Sequence, residues 1–383
     1  MTRRRRVLFT LESRATFGYS VNVIRAAMAE PTLELRTLVT GMHLMPELGG
    51  TVATLQDAGI PISASVPLSP GPGPAGWPRA MGHAIAGYAD AYESLEPDIV
   101  VISGDRGETF ALAVAAVYMG LPVAHIQAGD KSGHIDDAAR MALAKLVHIH
   151  FAPGHDAAAR LRRLGEQEFR IFDTGAPQLD DMVGRRFDRH SMTLDGAEFA
   201  LRRPYIVLLQ HPVMAERTEA ARQMETTLRA CVATGLPIVW IYPNSDLGFR
   251  DILAVIELER EGEQIVTAAN LEREQYLTLL ANCACLVGNS SSGILEAPTF
   301  RIPVVNIGNR QRDRPQAANI LNCGYDAAEI EQAIRRSHSD PAFRKACAGA
   351  VNPFGDGKSG PRITRILRDI AIDQALLDKQ TTY

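Results

Sequence analysis

Gly288-Asn289-Ser290-Ser291-Ser292-Gly293-Ile294-Leu295-Glu296 carries the sharpest chemical signal in the chain, because it follows an apolar run and opens a helix-like segment. Backbone N–H groups at a helix start, the helix dipole behind them and three hydroxyls suit an anion, and a diphosphate above all. Ordinary serine capping is the plainer alternative, but capping needs one serine rather than three. Glu296 lies one turn further in, where it can accept hydrogen bonds from a ribose diol or stand as a solvated helix carboxylate. The next strand-like run ends in Asn306-Ile307-Gly308-Asn309-Arg310-Gln311-Arg312-Asp313-Arg314, which alternates three arginines. Guanidinium forks match phosphate geometry; an isolated basic run is more often a salt-bridged surface loop. Ser290, Ser291, Ser292, Glu296, Arg310, Gln311 and Arg312 are therefore the candidate ligand-binding residues of this half. In the other half Ser13-Arg14-Ala15-Thr16-Phe17-Gly18 offers an arginine and hydroxyls after the first strand. Its spacing is not the Gly-x-Gly-x-x-Gly fingerprint and no P-loop occurs, so neither NAD nor ATP is indicated by motif.

Acid–base candidates cluster in the same kind of position. Gly104-Asp105-Arg106, Gln127-Ala128-Gly129-Asp130 continuing to Asp136-Asp137, and Gln210-His211-Pro212 each follow a short apolar run. Asp105, Asp130, Asp136 and His211 thus fall at the carboxyl ends of strands, where a positioned base and acid serve proton transfer. Singly, such an Asp is often a helix cap and such a His a structural residue; the case rests on several converging. Arg106 beside Asp105 joins the binding candidates. No His/Asp/Glu cluster has metal-ligand spacing, so no metal is indicated.

These residues need strands to aim them. The runs 6–11, 33–40, 99–102, 123–126, 149–152 and 169–174 read as strands, with helices over 19–29, 51–58, 81–95, 109–119, 136–147 and 155–164. Apolar runs of four residues suit strands buried on both faces of a parallel sheet. The segment 185–203 is charged and polar, admits no buried strand and marks a boundary. Alternation then restarts, with strands over 205–209, 237–241, 265–267, 285–287 and 303–306 and helices over 216–234, 272–282 and 293–300. The expected architecture is α/β: two doubly wound Rossmann-like domains over 1–187 and 188–360. A last helix over 361–378 is expected, by analogy, to pack residues 361–383 back on the first domain. Ligands of open α/β sheets sit outside the carboxyl ends of strands, so the chemistry is expected in a cleft between the domains. The Pro/Gly-rich stretch 69–78 is a surface excursion or a lid.

Composition narrows the classes. The 383 residues are 46% hydrophobic and 22% charged, with 40 Lys plus Arg against 44 Asp plus Glu. A net charge of -4 does not suit a nucleic-acid-coating protein. No apolar run approaches the roughly 20 residues of a spanning helix, and Arg3 to Arg6 lead into a strand-like run rather than a signal peptide. The five cysteines, Cys231, Cys283, Cys285, Cys323 and Cys347, are odd in number and scattered. They read as reduced, buried thiols of a cytosolic protein.

At these residues the sequence resembles the hydrolysing UDP-N-acetylglucosamine 2-epimerases, and most closely the branch that makes N-acetylmannosamine-type sugars for sialic and legionaminic acids. The resemblance runs over most of the chain. It is carried by Ser13 to Gly18, Thr40-Gly41-Met42-His43-Leu44 with Glu47 and Thr51, Gly104-Asp105-Arg106, Ser132-Gly133-His134-Ile135-Asp136-Asp137, Thr174-Gly175-Ala176-Pro177-Gln178-Leu179-Asp180, His211-Pro212, Tyr242-Pro243-Asn244-Ser245-Asp246, Gly288 to Glu296 and Asn306 to Arg312. It implies a GT-B-like fold without cofactor and a homodimer in the cytoplasm. The implied reaction removes the C2 proton while the nucleoside diphosphate leaves C1; water then adds to the 2-acetamidoglycal. On that likeness Asp105, Asp136 and His211 take acid–base or orienting roles. Arg14, Ser290, Ser291, Ser292 and Arg310 hold the diphosphate, Glu296 the ribose, and Asn244 lies near the nucleotide. One departure is plain. The family's His-x-Glu-Gly-Gly-Glu-like stretch reads His125-Ile126-Gln127-Ala128-Gly129-Asp130 here. Gln127 cannot exchange a proton as a carboxylate does and is left as a substrate contact; Asp130 keeps the second charge with a shorter reach. Thr16 likewise replaces an acidic residue common in the family's first loop. A GT-B glycosyltransferase, or a sugar-nucleotide binder with altered or no chemistry, are the alternative readings.

Overall fold

Alternate residues of the apolar runs face opposite sides of two parallel sheets, which is why both sides of each run must be apolar. The computed structural model describes residues 3–45, 51–71, 75–131, 136–243, 248–269 and 271–383, apart from the side chains of residues 14, 15, 136, 197 and 214. The chain divides into two units. Unit 1 comprises Met1–Val183 and Phe354–Tyr383, and unit 2 comprises Gly184–Pro353.

Unit 1 runs β1 (Arg5–Leu11), α1 (Arg14–Ala29), β2 (Leu33–Thr40), α2 (Val52–Asp57), β3 (Ala64–Val66), α3 (Gly76–Leu95), β4 (Ile99–Ser103), α4 (Gly107–Tyr118), β5 (Val123–Ile126), α5 (Asp136–Leu146), β6 (Ile149–Ala152), α6 (His155–Arg163) and β7 (Ile171–Asp173). Its seven strands are ordered β3-β2-β1-β4-β5-β6-β7. Val7, Phe9, Leu11, Ile99 and Val101 pack on one face; Leu8, Val100 and Ile102 pack on the other.

Unit 2 begins with β8 (Ser191–Leu194) and β9 (Ala197–Ala200). It continues through β10 (Ile206–Leu209), α7 (Ala220–Ala233), β11 (Ile238–Ile241), α8 (Phe249–Glu259), β12 (Ile265–Ala268), α9 (Arg273–Asn282), β13 (Cys285–Gly288), α10 (Ser292–Leu295), α11 (Ala297–Phe300), β14 (Val304–Ile307), β15 (Ile320–Cys323), α12 (Ala327–Ser339) and α13 (Pro341–Ala348). Its six-stranded sheet is ordered β12-β11-β10-β13-β14-β15. The chain then re-enters unit 1 with α14 (Ser359–Asp369) and α15 (Gln374–Leu377). There Ile363, Leu367 and Leu376 join the core under α1. Asp180 accepts from the backbone N–H groups of Ser359 at 2.9 Å and Gly360 at 2.5 Å, which anchors the start of α14.

Both sheets use the same permutation, in which the first strand lies between the second and the fourth. Consecutive connections therefore leave in opposite directions at β1/β4 and at β10/β13, and each divergence opens a crevice at the strands' carboxyl ends.

Several elements differ from the sequence expectation. The polar segment 185–203 contains the antiparallel hairpin β8–β9. Met192, Leu194 and Phe199 alternate with polar neighbours and are buried against the sheet of unit 2, with Phe199 edge-on to Tyr205 at 5.1 Å. One-sided burial needs only every second residue to be apolar, so a search for continuous apolar runs passes over it. The helix expected over 293–300 is two short helices, α10 and α11, because Pro298 cannot donate into a continuous ladder. The helix expected over 216–234 is regular only from Ala220, after a tighter turn over Met214–Glu219. The terminal helix breaks before Asp373, which caps α15 by accepting from Leu376 N–H. Strands β3 and β15, whose residues are mostly part-exposed, were not anticipated.

The five cysteines are free and buried. Among the described residues no helix is long and apolar enough to cross a membrane, and no group of three or more His, Cys, Asp or Glu side chains is disposed to hold a metal ion.

Candidate active site

In unit 2 the crevice between β10 and β13 is closed by one asparagine. Asn289 Oδ1 accepts from the His211 backbone N–H at 2.7 Å, and Asn289 Nδ2 donates to the His211 carbonyl at 2.8 Å. Arg310 Nη1 and Gln311 Nε2 then both donate to the Asn289 carbonyl, at 3.2 and 3.0 Å. The loops after β10, β13 and β14 are thus tied into one turn. Gly288 makes the turn possible: at φ +130° any β-carbon would lie 2.1 Å from the Leu209 carbonyl oxygen. The half-buried His211 ring is held neutral, its pKa lowered to about 3 by burial and then by the charge of Arg310.

The serines sit on this turn. Ser290 Oγ accepts from the Ser292 N–H at 3.3 Å, Tyr276 Oη donates to Ser292 Oγ, and Ser291, the residue before α10, makes no side-chain cap. Helix α10 has only four residues. Few peptide dipoles are aligned behind the turn, so its capacity for an anion comes from hydroxyls and backbone N–H groups rather than from the long helix dipole expected. Glu296 lies between α10 and α11, where its Oε1 accepts from Arg273 Nη1 at 3.0 Å. The three binding candidates after β14 part company. Arg310 and Gln311 brace Asn289, whereas exposed Arg312 lines a cavity of about 700 Å³ with Glu216, Asn309, Gln316, Asn322 and Tyr325.

In unit 1 the loops after β4 and β5 converge on Arg140, which projects from α5 one turn after Asp136. Arg140 Nη2 pairs with Asp105 Oδ2, and Nη1 donates to the Gln127 carbonyl at 2.9 Å. Burial opposes the charge of Arg140, but the carboxylates of Asp105 and Asp130, then Tyr19 and Asp137, outweigh it and hold its pKa above the usual arginine value. Asp130 is itself buried. Gln127 is buried in the left-handed backbone region at φ +66°, and its Nε2 donates to Gln178 Oε1 at 2.9 Å. Its amide is directed at Gln178 inside the unit rather than at solvent. His125 Nε2 meets the Gly104 carbonyl at 2.6 Å, and burial lowers its pKa to about 3, so it joins the two loops as a neutral ring. Asp136 begins α5 and Arg14 begins α1, but their side chains, like all of Asn244, lie outside the described residues.

Four partners escaped the sequence reading: Arg140, Arg273, Glu12 and Glu108. The Asp136/Arg140 spacing of one helical turn was the available signal for the first. Nothing local marks Glu12 as buried.

The carboxyl-end crevices of two Rossmann-like units hold an oxyanion-friendly turn in one and a paired carboxylate in the other. The family model of UDP-N-acetylglucosamine 2-epimerase matches residues 25–368. The chain belongs to this family. It is an enzyme chain similar over 380 residues, at 31% identity, to the UDP-N,N'-diacetylbacillosamine 2-epimerase (hydrolyzing) of Legionella pneumophila, covering 99% of this chain and 100% of that one. It is 30% identical over 354 residues to a UDP-N-acetylglucosamine 2-epimerase of Neisseria meningitidis, covering 88% of each. The solved UDP-GlcNAc 2-epimerase from Neisseria meningitidis bound to UDP-GlcNAc shares the fold at a TM-score of 0.77 and 18% identity, covering 94% of this chain and 99% of that one. The fold class of this 2-epimerase chain is therefore α/β and GT-B-like, with two Rossmann-like units.

Proposed function

We propose that the chain is a hydrolysing 2-epimerase of a nucleotide-linked 2-acetamido sugar. Its substrate is UDP-N-acetylglucosamine or a 2,4-diacetamido-2,4,6-trideoxy derivative, and its products are a free mannosamine-type sugar and a nucleoside diphosphate. Family membership supports the reaction class, and the names of the two relatives supply the two substrates.

The observation that carries the reading is the shared strand order, which gives each unit one crevice and each crevice a different chemistry. In unit 2 the Asn289-braced turn offers Ser290, Ser291, Ser292 and Arg310 to a diphosphate, with Glu296 for the ribose and neutral His211 beside the leaving group. In unit 1 Asp105 is paired with Arg140, and Asp130 and Asp136 follow from the adjoining loop and helix. A carboxylate from this set takes the C2 proton as the C1–O bond breaks and the electron pair leaves on the diphosphate. Water then adds to the glycal at C1 while a proton returns to C2 on the opposite face. Gln127 takes no proton in this scheme, because a carboxamide is not a base at neutral pH; its Nε2 donates to Gln178.

The test is turnover of each nucleotide sugar in deuterated water, followed by NMR. Deuterium at C2 of the released sugar is expected. Nucleotide release without C2 label rejects epimerisation, and release only on addition of an acceptor supports a glycosyltransferase instead.

A further inference from the structure

We propose that the cavity lined by Arg312 is a second ligand site of unit 2, separate from the serine turn, and that it takes a small hydroxyl-rich carboxylate, a sugar acid. The cavity measures about 700 Å³, inside the roughly 300–1,000 Å³ usual for small-molecule sites. Three loops at the carboxyl end of the sheet form it. Glu216 comes from the turn after β10, Asn309 and Arg312 from the loop after β14, and Tyr325 from the loop after β15. Among the described residues of its wall, none belongs to the serine turn, and neither Glu296 nor His211 takes part.

Arg312 calls for the anion. Of the three arginines in this loop, Arg310 donates to the Asn289 carbonyl at 3.2 Å and Arg314 to Gln311 Oε1 at 3.3 Å. The Arg312 guanidinium is exposed and makes no hydrogen bond or ion pair among the described residues. Its backbone is fixed, because its N–H donates to the Asn309 carbonyl at 3.0 Å. An unspent guanidinium fork in a concave wall matches a carboxylate through two parallel hydrogen bonds. One guanidinium answers one negative charge. A phosphate dianion would bring two, with the Glu216 carboxyl group in the same wall.

The rest of the wall suits hydroxyls. Glu216 Oε1 accepts from Asn309 Nδ2 at 3.0 Å, and Oε2 accepts from Gln223 Nε2 at 2.8 Å. The carboxyl group is thereby held in place, and each oxygen keeps a lone pair for a further donor. Gln316 and Asn322 exchange two amide hydrogen bonds, Asn322 Nδ2 to Gln316 Oε1 at 2.7 Å and Gln316 Nε2 to Asn322 Oδ1 at 3.3 Å. Asn306 Nδ2 adds a third, to Asn322 Oδ1 at 2.8 Å. One Asn322 N–H and one Gln316 Oε1 lone pair remain for a ligand. Burial, reinforced by Glu216 and partly offset by Asn289 and Arg310, raises Tyr325 to about 12, so its phenol keeps its proton at neutral pH. Gly308 gives that phenol room: at φ +71° a β-carbon would stand 2.5 Å from Tyr325 Oη. Donors and acceptors side by side match hydroxyl groups, which both give and take hydrogen bonds, better than an aliphatic chain.

Ligand-observed NMR titration of the full-length protein decides the matter. The probes are D-glucuronate and the larger lactobionate. The controls are lactose, which lacks the charge, butyrate, which lacks the hydroxyls, and glucose 6-phosphate, which carries the wrong anion. At least one sugar acid is expected to bind the wild type, about tenfold or more tighter than every control. Its affinity is expected to fall at least about tenfold in R312Q and by less in R312K, which keeps the charge without the fork. Both variants are expected to keep the wild-type Tm, because the guanidinium holds nothing in the folded chain. Added UDP is expected not to displace the probe. No binding of either sugar acid, a control that binds as tightly, full affinity in R312Q, or displacement by UDP overturns the proposal. Binding here needs no turnover, so a protein that holds the sugar acid but releases no nucleotide retains this site and loses the epimerase reading.

Discussion

At the residue scale, Arg140 gives Asp105 its character. Pairing with a buried guanidinium fixes where the carboxylate points, which a general base needs. Asp105→Asn keeps the shape and removes the basicity. It is expected to lower kcat for nucleoside diphosphate release by about 10²- to 10⁴-fold with a smaller change in KM, measured in steady state. Glu12 makes the opposite kind of prediction. Its folded pKa of about 7 lies above the ordinary 4.5, so the folded state binds its proton more tightly than the unfolded chain. Stability is therefore lost as pH rises from about 4.5 to about 7, by about 3 kcal/mol in all. Urea unfolding at several pH values is expected to show E12Q gaining on the wild type across that interval. Equal slopes for the two proteins would remove the assignment. Asp105 and His211 were readable as strand-end residues because each closely follows an apolar run. Glu12 was not, because its burial depends on Gly41 and Glu108, which are distant in sequence and assembled only by the β1/β2/β4 neighbourhood.

At the element scale, turns carry more of the design than helices. The hub made by Asn289 needs β13 to end in a residue that tolerates φ +130° within van der Waals distance of β10. Gly288→Ala brings a methyl group against the Leu209 carbonyl and is expected to cost at least about 2 kcal/mol. Nucleoside diphosphate binding should weaken in parallel, and calorimetry alongside urea unfolding separates the two effects. Parallel strands were legible because burial on both sides writes itself as an unbroken apolar run. The hairpin β8–β9 was not, since its inward residues Met192, Leu194 and Phe199 are diluted by polar neighbours in a segment whose ends are strongly charged. The length of α10 was hidden for a related reason: the apolar periodicity continues across Glu296, and only Pro298 records the break.

At the scale of the whole molecule, the C-terminal segment completes unit 1 by polar contacts as well as by α14. Arg170 donates to the carbonyls of Leu376 at 2.6 Å and Ala375 at 2.8 Å. Lys379 Nζ lies 2.6 Å from Glu166, whose other partners are His150 at 3.0 Å and Lys145 at 3.2 Å. Against the upward push of burial, His150 and Lys379 hold Glu166 at about 2, while burial pulls Lys379 down to about 8. The carboxylate is the beneficiary and the ammonium bears the desolvation. Lys379→Met is expected to cost about 2 kcal/mol at neutral pH, since Lys145 and His150 remain. Because the depressed pKa of Glu166 contributes stability above about 4.5 that is lost as pH falls towards about 2, the variant should also show a shallower acid transition. A Tm series from neutral to acidic pH reads both.

The return of residues 354–383 to unit 1 makes unit 2 an insertion within it rather than a successor to it. On the ribosome, unit 2 has its whole sequence available while unit 1 still waits for α14, α15 and Lys379. The half of the protein translated first is therefore completed last, and until then the Ile363 and Leu367 sites beneath α1 and the Glu166 carboxylate stand open. Chaperone capture or proteolysis of nascent chains should accordingly concentrate on the amino-terminal half.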